Sequence, residues 1–116
     1  MNARIPKGGA VPQNSQQMVK QAQKMQDDII AIQSEIEERY FSTTAGGGAV
    51  EIVMSGKKEI RSLNIKKEII EEAIEDPELL TDLIISAVNE IGRQIDETTE
   101  IEMEKVTGGV SLPGLF

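Results

Sequence analysis

The sequence contains no cysteine, no histidine and no tryptophan, and its only rings belong to Tyr40, Phe41, Phe116 and four prolines. Each absence removes a class of chemistry. Without thiols there are no disulfides and no thiol nucleophile; without Cys and His there is no ordinary zinc set and no imidazole acid or base. Absent cysteine also fits a reducing cytoplasm. A chain of 116 residues with so few aromatics must build its core from Ile, Val, Leu, Met and Ala. Such a core is modest, and a second copy is expected to supplement it. No apolar run approaches the roughly 18 residues of a membrane span, and the N-terminus lacks the apolar centre of a signal peptide. The expectation is one small soluble cytoplasmic domain with no membrane partner.

Net charge is −8, which taken whole opposes an anionic partner. The charge is segregated, however. Residues 1–26 carry Arg4, Lys7, Lys20 and Lys24 with no acid, whereas residues 27–39 hold five acids against Arg39. Residues 40–67 are basic again, through Lys57, Lys58, Arg61, Lys66 and Lys67. Residues 68–116 hold thirteen acids against Arg93 and Lys105. Any anionic partner is therefore expected at the front half.

The middle of the chain organises the rest. Val50, Ile52 and Met54 share one face of a strand, since side chains alternate with period two. Ser55-Gly56-Lys57-Lys58 turns the chain back into a strand carrying Leu63 and Ile65. Ile60 has the opposite parity, so either a bulge sits near Arg61-Ser62 or Ile60 packs on the far side. Arg39 to Thr44 supplies an earlier strand with Tyr40 and Phe41 on opposite sides. Gly46-Gly47-Gly48 between them lacks the phosphate-loop spacing and reads as a bend.

Residues 1–13 read as a disordered basic arm, residues 14–109 as the folded domain and residues 110–116 as a short apolar tail that either packs on the body or docks elsewhere. Asn14 with Gln17 resembles a capping box, so a helix is expected from there. Met18, Ala22, Met25, Ile29, Ile32 and Ile36 then recur as a heptad seam, which packs either on the chain's own body or on another subunit. The opposite face offers Gln17, Lys20, Gln21, Gln23 and Lys24 and no carboxylate before Asp27. Ile69, Ile70, Ala73 and Ile74 form a short helical turn. Asp76-Pro77-Glu78 starts a last helix, whose buried stripe runs through Leu80, Ile84, Ala87, Val88, Ile91 and Ile95 and which stops at Thr107-Gly108-Gly109. Gly92 within it is expected at a close approach of another backbone, in this chain or across a subunit contact. The fold class is α+β: a long N-terminal helix, a three-stranded antiparallel sheet, a short helical turn and a long C-terminal helix.

Read in order, the sequence resembles the YbaB/EbfC family of bacterial nucleoid-associated proteins over about Gln17 to Phe116. The likeness rests on Met18-Val19-Lys20-Gln21-Ala22-Gln23-Lys24-Met25-Gln26, on Ala45-Gly46-Gly47-Gly48 leading into Val50-Glu51-Ile52, and on Ser55-Gly56-Lys57. Ala87-Val88-Asn89, Thr107-Gly108-Gly109 and Leu112-Pro113-Gly114-Leu115-Phe116 complete it. The resemblance implies a homodimer whose long helices project like tweezer arms and bind DNA, organising the nucleoid or modulating gene expression. Carried onto this chain, it implicates Lys20 and Lys24, with Gln17, Gln21 and Gln23 beside them; apart from the resemblance, Arg4 and Lys7 of the basic arm are expected to add charge to that contact. Arg93 and Lys105 stand among Asp96, Glu97, Glu100, Glu102 and Glu104, which argues against phosphate contact there.

The expected function is duplex DNA binding by a non-enzymatic homodimer, mainly through backbone phosphates, with no cofactor and no metal. The alternative is a dimeric scaffold that recruits replication or recombination proteins through the acidic last helix and tail. An enzyme is not expected, because no nucleophile–base pair, cofactor loop or neutral metal ligand is present.

Overall fold

The alternation at Val50, Ile52 and Met54 resolves into the middle strand of a three-stranded antiparallel sheet. The computed structural model describes residues 13–108. In chain order these form α1 (Gln13–Glu38), β1 (Tyr40–Ala45), β2 (Val50–Ser55), β3 (Ile60–Ile65), α2 (Lys67–Glu75) and α3 (Pro77–Thr107). The sheet order is β1-β2-β3, the plainest meander. The fold is α+β, as expected, but the segment read as a short helical turn is a nine-residue helix. α1 already includes Gln13, so Asn14 lies inside the helix instead of capping it.

The register settles the parity of Ile60. Met54 pairs with Ile60 and Val53 with Ser62, leaving Arg61 as the extra residue of a bulge. The bulge returns Ile60 to the side that carries Leu63 and Ile65. That side of the sheet faces α3. Val50, Ile52 and Met54 are buried there against Ala87, Ile91 and Ile95, and Phe41, Ala45, Leu80, Leu83, Ile84 and Val88 pack around them. The three α3 residues recur every fourth position and so share one helix face. Ile52 and Ile91 are fully buried, each contributing about 1.5–3 kcal/mol by leaving water.

The three glycines after β1 all have positive φ, +64°, +68° and +96°, and they carry the chain from β1 into β2 with Ala49 N–H donating to the Gly46 carbonyl at 3.3 Å. Gly56, in the β2–β3 turn, has a different task. Its N–H donates to the Arg39 carbonyl at 3.0 Å, and a side chain on it would overlap the Ile36 carbonyl. The hairpin end is thus seated directly on the last turn of α1. Gly92, expected at a close backbone approach within the chain or across a subunit contact, meets no other element among the described residues within 4 Å of where a Cβ would stand.

α1 finds its main partner in α3. Ile29 and Ile36 are buried on α1, and Met103 and Thr107 are buried on α3, apart from the sheet cluster. Arg39 and Glu102 approach to 4.0 Å at this junction. The two helices leave the sheet together, and the molecule measures 87 × 21 × 17 Å. Half of the heptad seam is therefore covered by the chain's own last helix. Its N-terminal half is not: Met25 is half-buried, while Ala22 and Met18 are exposed.

Candidate nucleic-acid interface

The sequence places Lys20 and Lys24 one helical turn apart, and the fold puts that turn on the part of α1 that extends past α3. A spacing of four residues stacks the two side chains on one face, about 6 Å apart along the axis. Gln17, Lys20, Gln21, Gln23 and Lys24 are all exposed. Lys20 and Lys24 point away from the stripe of Met18, Ala22 and Met25, as a 100° advance per residue requires. The structure thus brings these five side chains to one projecting rod. Arg4 and Lys7 lie outside the described residues.

The two lysines are not equivalent. Lys24 Nζ donates to Asp28 Oδ2 at 2.9 Å, four residues on. Lys20 has no carboxylate within 4 Å among the described residues. The Lys24–Asp28 pair is solvent-exposed, 78% and 44% for the two side chains, and such pairs are worth only about 0.3–0.5 kcal/mol. An incoming phosphate can displace Asp28. Lys24 and Asp28 have the i,i+4 spacing of an ordinary helix pair, a signal already present in the sequence.

The second basic cluster does not assemble. Lys57 and Lys58 sit at the turn, whereas Lys66 and Lys67 follow the other end of β3, roughly 20 Å away for a six-residue strand. Lys58 is engaged by Asp96 at 2.8 Å. Arg61, the bulge residue, lies over the Tyr40 ring at 5.8 Å and near Glu59 at 3.8 Å. The cations of α3 are likewise committed. Lys105 reaches Glu102 at 3.1 Å. Arg93 is hydrogen-bonded to Glu90, first by that bond and then by its charge holding the carboxyl below the usual range. The reciprocal bond raises the guanidinium.

Among the described residues no group of three or more acids is arranged to hold a metal ion, and no helix is long and apolar enough to cross a membrane. A cleft between β1 and α3, lined by Thr44, Gly46, Leu83, Ser86, Asn89 and Arg93, is open and mostly polar. Among the described residues Lys20, Lys57, Lys66 and Lys67 have no carboxylate partner, and the front half of α1 is where one of them, Lys20, projects beside a second lysine held only by an exposed pair.

The sequence pattern of the YbaB/EbfC DNA-binding family matches residues 12–110. A protein of Alkaliphilus metalliredigens named nucleoid-associated protein is 48% identical over 112 residues, covering 97% of this chain and 96% of that one. A nucleoid-associated protein of Desulforamulus reducens is 50% identical over 103 residues, 89% of this chain and 96% of that one. The crystal structure of an uncharacterized Helicobacter pylori protein shares the fold, with a TM-score of 0.55 at 20% identity over 68% of this chain and 89% of that one.

Proposed function

The chain belongs to the YbaB/EbfC DNA-binding family, and from that premise we propose that it binds duplex DNA as a homodimer, chiefly through backbone phosphates. Lys20 and Lys24 of each α1 make the contacts, Gln17, Gln21 and Gln23 supply amide donors, and Arg4 and Lys7 add charge from the N-terminal arm. The observation that carries this reading is the projecting half of α1. It is exposed on every side that bears these residues, and it holds no carboxylate before Asp27. Residues 27–116 hold all twenty acids against eight bases and on balance repel a duplex, although residues 40–67 are themselves basic. The rod is therefore the favoured contact.

Lysines and amides aimed at phosphates position a protein without reading bases. Binding of this kind organises DNA along its length, as a nucleoid component would, or modulates expression by occupancy. Two lysines from each of two subunits give a log–log salt slope of about −3 to −4. A second copy joins the four cations into one bivalent contact, so neither rod needs high affinity by itself. No step of this activity is enzymatic, and none needs a cofactor.

The test is the double substitution Lys20→Glu with Lys24→Glu. Retention of duplex in a low-salt gel shift is expected to disappear while the molecular mass in solution stays that of the parent. Undiminished retention would take α1 out of the mechanism, whereas negligible duplex affinity of the parent chain itself would favour the protein-recruiting scaffold built on the acidic α3 and the tail.

A further inference from the structure

We propose that the C-terminal residues 110–116 fold back along the α1 of their own chain and cover its Met18–Ala22–Met25 stripe. The proposal does not depend on DNA binding. It starts from a mismatch in length between two packed helices. Ile36 and Met103 are both buried where α1 meets α3. From there α3 has about one and a half turns left before Gly108, whose φ of +63° ends the helix. α1 continues back to Gln13 and outruns α3 by roughly 25 Å at 1.5 Å per residue.

The uncovered length is not polar all round. Met18, Ala22 and Met25 continue the stripe on which Ile29 and Ile36 are buried, so they face the side that α3 occupies lower down. Past the end of α3 no described residue of α3 covers that side. Met18 is 65% exposed, and Val19 beside it 57%. An isolated half-helix presenting methionines to water is marginally stable, and a seam this regular asks for a continuing cover.

Residues 109–116 lie outside the described residues, but their composition and starting point are known. They leave from Gly108, at the place where the cover of α1 stops. They bring Val110, Leu112, Leu115 and Phe116 and no charged side chain. Fully extended they span roughly 26 Å, enough to reach past Met25 and Ala22 towards Met18. A segment tethered at the foot of the stripe is present there at an effective concentration in the millimolar range. The tail's own α1 is the occupant that this tether favours. Lys20 and Lys24 stay free, because they lie on the opposite face.

The absence of native cysteine makes the test specific. The pair Met25→Cys with Leu112→Cys, in the full chain without DNA, is expected to close under mild oxidation or with a short bismaleimide. The product should run as a single-chain species at every protein concentration. A linked two-chain product would assign the stripe to the tail of a second copy and overturn the proposal, as would failure to link. Independently, the chain ended after Gly109 is expected to exchange its amide hydrogens over residues 17–27 at least about tenfold faster than the full chain. Equal protection in the two chains would also overturn it. Loss of DNA binding through Lys20→Glu and Lys24→Glu would leave both measurements unchanged, which separates this proposal from the DNA-binding one.

Discussion

Two residues show how little of the chemistry at a position can be judged from its type alone. Gly56 lies in a turn and Gly92 inside a helix, and the sequence points to Gly92 as a place where another backbone, of this chain or of a second subunit, comes close. Within the chain the close approach is at Gly56. A Cβ on Gly92 would meet nothing, whereas one on Gly56 would overlap the carbonyl of Ile36. That carbonyl belongs to helix backbone and cannot swing aside as a side chain would. Gly56→Ala must separate the β2–β3 turn from α1, breaking the bond from Gly56 N–H to the Arg39 carbonyl. The cost of overpacking is about 1–3 kcal/mol, and the lost bond adds about 1 kcal/mol. Urea denaturation is expected to show Gly56→Ala destabilised by about 2–4 kcal/mol, with Gly92→Ala neutral to slightly stabilising because helix propensity favours Ala by about 1 kcal/mol. Equal stability of Gly56→Ala and the parent would mean that hairpin and helix are not in contact in solution.

At the scale of elements, periodicity was enough for whatever repeats locally. The heptad seam gave α1, the two-residue alternation gave β2, and Asp76-Pro77 gave the start of α3. The odd parity of Ile60 left a bulge or far-side packing open, and the register decides for the bulge, with Arg61 as the extra residue. What could not be read were relations between elements. The five lysines and arginines after β2 are close in sequence, but a six-residue strand holds two of them at the far end from the turn, and Asp96 of α3 engages Lys58. The unequal lengths of α1 and α3 past their junction are also a tertiary fact, and they decide which lysines project. The Lys24–Asp28 pair is the exception, since its spacing alone predicts it. It leads to a prediction for α1 as a DNA-binding rod. Asp28→Asn removes the carboxylate that competes with phosphate for Lys24 while keeping the helix shape. The pair is worth about 0.5 kcal/mol at most, so duplex affinity at low salt is expected to rise about two- to fivefold when both subunits gain. An unchanged titration would show that Lys24 touches no phosphate and that Lys20 carries the contact alone.

For the whole molecule the question is what completes the sheet. α3 lies over β1 and β2; the helix-facing side chains of β2, Val50, Ile52 and Met54, are buried and those of β1 are half-buried. β3 brings Ile60 and Leu63 to the same side by means of its bulge, yet Ile60 is 52% and Leu63 40% exposed. Ile70 and Ile74 of α2 are exposed as well. A chain with so few aromatics has spent scarce apolar surface on an edge that its own helices leave open, and a second copy is the simplest way to cover it. If that is where two chains join, a carboxylate at the centre of the open face must prevent it, because a charge buried without a partner costs several kcal/mol. Leu63→Glu is expected to reduce the mass measured by light scattering from twice 12.7 kDa to 12.7 kDa, with the helical circular dichroism of the chain retained because Leu63 is already partly in water. Duplex affinity should fall at least tenfold with the loss of the second rod, and the log–log salt slope should fall by half, since each rod brings half of the cations. A dimer that survives Leu63→Glu would move the subunit contact off this face, and an unaltered salt slope in a proven monomer would show that one rod alone makes all the phosphate contacts.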